Sequence, residues 1–140
     1  MTSDWKHFTP DEMIHSDTAD RLGIDNAPTG DVTDNLDRLV TRVLDKLRDG
    51  WGRPIIVTSG YRCKELNTAV GGARNSQHLK GQATDIVSDD FEAFRRLVRR
   101  WCKDNEFDQC IFEHGGGREW IHISYVEGRN RRQIIDLSVG

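Results

Sequence analysis

The chain has 140 residues, 36% of them hydrophobic and 31% charged, with a net charge of −3. That size and composition fit one folded domain over residues 1–140 with one core, and exclude a disordered chain. The small net charge argues against a nucleic-acid or membrane-surface binder, and no apolar run approaches the roughly 18 residues of a membrane span.

In chain order, the polar start MTSDWKHFTPDE lacks the pattern of a signal peptide. Within it, Thr9 can cap a helix, Pro10 suits the first helical position and Glu12 completes a capping box. A second short turn runs from a Ser16 cap to a stop at Gly23. The segment 33–49 carries Leu36, Leu39, Val40, Val43, Leu44 and Leu47 at spacings of three and four, which predicts an amphipathic helix capped by Thr33 and ended by Gly50. A strand is expected between Pro54 and Gly60, a short helix over 62–70, and a strand at ATDIV, 83–87. Helix 89–104 follows. Two strands, 109–114 and 119–125, are joined by GGGR as a β-hairpin, and a last strand lies near 132–137. Interspersed helices and strands predict an α+β domain: a small mixed or mostly antiparallel sheet with helices packed on one face, leaving the other free for a site.

The remaining features are plain ones. Cysteines 63, 102 and 110 show no CxxC spacing and read as reduced, structural thiols. The arginine-rich stretches at 95–100 and 129–132 read as solvated faces. His7 and His15 read as surface or packing residues, and His114 as a loop residue at a strand end.

His78, Asp85 and His122 are different. His78 sits in a loop before a strand, Asp85 inside that strand, and His122 in a strand of the later hairpin. Adjacent strands lie about 5 Å apart, so side chains from one sheet face can converge. Two imidazoles, one carboxylate and an open fourth position make a catalytic zinc site. Asp85 paired with an arginine, and His122 as a hydrogen-bonded core histidine, is the plain alternative, and spacing does not separate the two.

Residues 76–85 read SxHxxGxAxD, residues 119–122 read ExxH, and upstream lies Ser59-Gly60-Tyr61-Arg62. In this order the three motifs resemble the zinc D-Ala-D-Ala carboxypeptidases and dipeptidases, a group that includes phage cell-wall endopeptidases and the fold of the hedgehog signalling domain. The start FTPDEMIHSDTA is similar to that of small phage and prophage members. The resemblance implies one zinc ion on His78, Asp85 and His122, with Glu119 as catalytic acid/base. It further implies Arg62 on the substrate carbonyl, and Ser76 and Tyr61 on the substrate side. It implies a peptidase for peptidoglycan or D-Ala-terminated peptides; apart from the resemblance, a monomer without nucleic-acid or membrane partners is expected. Such a chain would be made in the cytoplasm without a signal and would reach the cell wall if released or phage-delivered. Trp120 stands where some carboxypeptidases carry a second histidine, which leaves terminal and internal cleavage both open.

Glu119 and His122 point to opposite faces of a regular strand, so Glu119 is expected in the loop before the strand or at a bulge, with Glu113 as the fallback base. Two other readings compete. One is a zinc-bearing binding module of the same fold with no activity. The other is a non-haem iron enzyme, disfavoured because six residues separate His78 from Asp85 where such sites commonly have one.

Overall fold

The structure, a computed structural model, describes residues 5–138; the first four residues of the polar start and the last two of the chain lie outside it. Helix α1, Pro10–Ile14, begins with the expected capping box: Thr9 Oγ1 accepts from the Glu12 amide and the Glu12 carboxylate accepts from the Thr9 amide. Helix α2, Asp17–Leu22, is capped by Ser16 and ends at Gly23.

The long amphipathic helix differs from expectation at both ends. It starts as α3, Gly30–Leu39, passes through one π-helical turn, Val40–Leu44, and continues as α4, Asp45–Trp51, ending at Gly52. Thr33 is inside the helix, because its hydroxyl finds the Thr29 carbonyl one turn back at 3.0 Å instead of capping. The extra residue of the π turn keeps Leu39, Val40, Val43 and Leu44 all on the buried side. Asp45, just after it, accepts from the backbone amides of Lys6 and His7 and ties the start of the chain to this helix.

Strand β1, Ile56–Ser59, leads into helix α5, Lys64–Ala69. A 3₁₀ turn, Gln77–Lys80, forms where the sequence predicts a loop and precedes β2, Ala83–Val87. Helix α6, Phe91–Trp101, the hairpin β3, Gln109–Gly115, and β4, Arg118–Ser124, and finally β5, Gln133–Ser138, complete the order. The sheet runs β1-β2-β4-β3-β5, antiparallel throughout except for the parallel β3–β5 pair. This is the mixed, mostly antiparallel α+β sheet that the pattern of elements predicts.

Strand alternation sorts the side chains. Ile86, Ile121, Ile123, Cys110 and Phe112 face the helices and join Leu36, Leu39, Leu44, Leu47, Phe94 and Val98 in one buried cluster. Asp85, His122 and Glu113 lie on the opposite face. All three cysteines are free thiols.

The stretch at 129–132 is not merely a solvated face. Asp108, buried just before β3, accepts from Arg131 at the backbone amide, Nε and Nη2, and from Gln77 Nε2 at 2.8 Å. These bonds, the Arg131 guanidinium first, hold the Asp108 carboxyl down at about 2. A carboxyl lowered on folding contributes stability that is present above its unfolded value of about 4 and lost as pH falls from there toward 2. Asp108→Ala is therefore expected to lower the unfolding free energy by about 2–3 kcal/mol at neutral pH. Urea titrations between pH 2 and 7 check this: the variant should lose part of the wild type's acid-limb dependence.

Candidate metal centre

His78 is placed by the segment 60–62, which grips it from two sides. The Gly60 carbonyl accepts from His78 Nδ1 at 2.7 Å, and the Arg62 amide donates to the His78 carbonyl at 3.1 Å. That segment is itself held from behind. The Tyr61 amide donates to the Met13 carbonyl at 2.8 Å, and the buried Asn26 side chain donates to the Tyr61 carbonyl and accepts from the Cys63 amide. Gly60 has to be glycine, since a Cβ there would stand 2.2 Å from the Met13 oxygen. Gly81, after the 3₁₀ turn, has to be glycine on two counts. Its φ is +71°, and a Cβ would come within 2.8 Å of the Val32 carbonyl oxygen.

Asp85 and His122 are direct partners across the β2–β4 ladder and share one face. Asp85 Oδ1 lies 3.4 Å from His78 Nε2 and 3.2 Å from His122 Nδ1, and the two rings meet edge to face at 5.3 Å. Burial alone would push the Asp85 carboxyl up, but its contacts with His122 and then His78 outweigh that and hold it far below the usual carboxylate range.

The arrangement asks for a cation. A carbonyl can only accept, so His78 Nδ1 carries its proton and Nε2 turns a lone pair toward a carboxylate oxygen. Two acceptors face each other there, so a proton or a metal ion must stand between them. Donors about 2.0–2.2 Å from a tetrahedral ion are roughly 3.3–3.6 Å apart, close to the spacings observed. The carbonyl behind the imidazole is the usual support for a histidine that ligates through its other nitrogen. The set of two nitrogens and one oxygen fits zinc. His15, Asp17 and Asp20 form a second group of the same kind, but all three are exposed and, among the described residues, no carbonyl fixes the ring.

The other expected residues are placed unequally. The Arg62 guanidinium points along the Ser76 hydroxyl, with Nη2 3.5 Å from Oγ; burial lowers its pKa and the Asp85 charge partly restores it. Its buried Nε has no protein partner among the described residues. Ser76 Oγ accepts from the His78 amide and caps the 3₁₀ turn. Tyr61 is packed in the core instead of lining a substrate cleft, because its backbone must reach Met13.

Glu119 lies within β4, opposite His114 and in unbroken register, not in the preceding loop or at a bulge. Alternation therefore turns Glu119 to the sheet face opposite His122, although it also lines, with Thr58, Asp85, Arg118 and Trp120, a cleft of about 600 Å³. His114 is correspondingly a strand residue, exposed at the end of β3. Glu113 shares the face of His122, is half-buried, and accepts from Trp120 Nε1 at 3.0 Å; burial and then the Asp85 charge push its carboxyl up. Neither the Trp120–Glu113 bond nor the Gly60 support is legible in the sequence, because each depends on segments that only folding brings together.

The family model described as Peptidase M15 matches residues 6–124. A zinc D-Ala-D-Ala carboxypeptidase of Streptomyces albus G is 30% identical over 88 residues, which cover 61% of this chain and 34% of that protein. The chain thus spans about a third of the length of that curated relative. With a family match running from the first turn of the fold through the last residues of β4, the chain belongs to the Peptidase M15 family.

Proposed function

We propose that this chain is a zinc peptidase that cuts D-Ala-containing stem peptides of peptidoglycan. The observation that carries the reading is the convergence of His78 Nε2, His122 Nδ1 and Asp85 Oδ1 on one face, beside a cleft that holds a free carboxylate. The name of the Streptomyces relative supports the substrate class.

His78, Asp85 and His122 would hold the zinc ion, which when bound supplies Lewis acidity and brings the pKa of a water toward 7. Glu119, on the cleft wall, takes the proton of the attacking water and returns it to the leaving amine. Arg62 donates to the oxygen that gains charge as the scissile carbonyl becomes tetrahedral; its guanidinium is already desolvated, so the interaction is strong. Ser76 holds the first ligand's backbone and steadies Arg62. Glu113, anchored on Trp120, keeps a second carboxyl near the metal face without crowding the cleft mouth.

Three outcomes are expected. Glu119→Ala should lower hydrolysis of a D-Ala-D-Ala peptide by about 10²- to 10⁴-fold while bound zinc, measured by metal analysis, stays at one ion per chain. Full activity in that variant, lost instead in Glu113→Gln, would transfer the proton-carrying role to Glu113. Gly60→Ala should displace the carbonyl behind His78 and weaken zinc about 10- to 100-fold, read by competition with a coloured chelator. Incubating zinc-loaded protein with purified peptidoglycan and with a D-Ala-D-Ala peptide, followed by mass analysis, tests the substrate. Cleavage of neither would sink the substrate claim.

A further inference from the structure

One charged side chain of the cleft has no part in the chemistry above. Arg118 opens β4, where it is paired with Gly115, so no side chain opposes it across the hairpin. Alternation along β4 puts Arg118, Trp120 and His122 on the same face of the sheet. Arg118 lines the same cleft as Asp85 and is the one cation among the residues lining it; the other charged lining groups are Asp85 and Glu119.

Most other arginines near the sheet are occupied. Arg99 pairs with Asp136, Arg131 with Asp108, and Arg132 caps the carbonyls of Cys102 and Lys103. Among the described residues Arg118 makes no ion pair and no side-chain hydrogen bond. A guanidinium lining the cleft with no internal partner among the described residues keeps its donors free for an anion arriving with the substrate.

The spacing selects the anion. Three residues lie between Arg118 and His122, a rise of about 13 Å along β4. One substrate residue beyond the scissile bond spans about 3.8 Å. The arginine side chain reaches in from the other end, so a charge one residue past the scissile carbonyl falls within its range. In a peptide cut at its last bond, that charge is the free α-carboxylate of the released residue. In a peptide cut internally, the same place holds a neutral amide. A planar guanidinium donates two parallel bonds to a carboxylate and cannot do so to an amide.

We propose that Arg118 binds the C-terminal carboxylate of the substrate and so directs the chain to terminal rather than internal peptide bonds. This rests on the peptidase reading and deepens it, because it names the specificity of that cleft. Trp120, between Arg118 and His122 on the same face, would lie along the released residue.

The test uses two peptides ending in D-Ala-D-Ala, one a free acid and one a C-terminal amide, with the zinc-loaded chain and its Arg118→Gln and Arg118→Lys variants. Binding is measured by calorimetry, independently of turnover, and hydrolysis by amine release. Wild type should bind the acid about tenfold more tightly than the amide, as expected for a charge-assisted pair. Arg118→Gln should remove that preference by weakening only the acid, with the loss of hydrolysis falling on KM more than on kcat. Arg118→Lys should retain part of it. An acid preference that survives in Arg118→Gln, or equal binding of acid and amide by wild type, overturns the proposal. If neither peptide is cut yet the binding preference depends on Arg118, the carboxylate site stands and the peptidase reading fails. If both are cut equally well in every variant, the peptidase reading stands and the carboxylate site fails.

Discussion

The bond from His78 Nδ1 to the Gly60 carbonyl is the constraint on which the site depends. It determines which ring nitrogen carries the proton and therefore which one faces Asp85. The Gly60 carbonyl is not free to move, because the next amide, at Tyr61, is bonded to Met13 at the end of α1, and the absence of a Cβ at residue 60 lets the two backbones touch. Asn26 closes the arrangement by satisfying the Tyr61 carbonyl and the Cys63 amide at once. A short polar-looking N-terminal helix thus acts as the backstop of a buried imidazole 65 residues away.

The sheet supplies the other two groups by a different means. Asp85 and His122 need no clamp, because antiparallel register makes them neighbours and strand pleat gives them a common face. The same pleat commits Ile86, Ile121 and Ile123 to the core, so a one-residue slip would bury the carboxylate and expose the isoleucines. Core packing and site geometry are therefore one constraint. The Asp108–Arg131–Gln77 group extends it: a buried carboxylate ties the residue before His78 to the segment ahead of β5, so the C-terminal strand also steadies the 3₁₀ turn.

Two carboxylates of the hairpin could carry the proton, and strand alternation separates them: Glu113 shares the sheet face of His122, whereas Glu119 points to the opposite face. Glu113 is half-buried and committed to Trp120, which restrains its movement. Glu119 is exposed on the cleft wall and has no protein partner among the described residues, which leaves it able to follow a proton. Position 120 links the two, since the tryptophan that anchors one carboxylate also forms part of the wall beside the other.

Local signals in the chain determined much of this. The capping box at Thr9, the apolar stripe at 36–47, the ATDIV strand and the glycine-joined hairpin are all short-range patterns, governed by capping, helical period and pleat. The family resemblance likewise rests on motifs of a dozen residues or fewer. What the tertiary structure alone decided depends on contacts between distant segments. The helix ran past Thr33 and Gly50 because a backbone carbonyl and a buried stripe outweighed local stop signals. Tyr61 went to the core because its backbone answers to Met13. Arg131 became an anchor because a buried Asp108 awaited it, and Glu119 stayed in the ladder because His114 holds the register opposite. The motifs that carry the family resemblance could name His78, Asp85 and His122, but only the folded chain could show which nitrogen of His78 faces the carboxylate, since the Gly60 carbonyl that decides it comes from another part of the sequence.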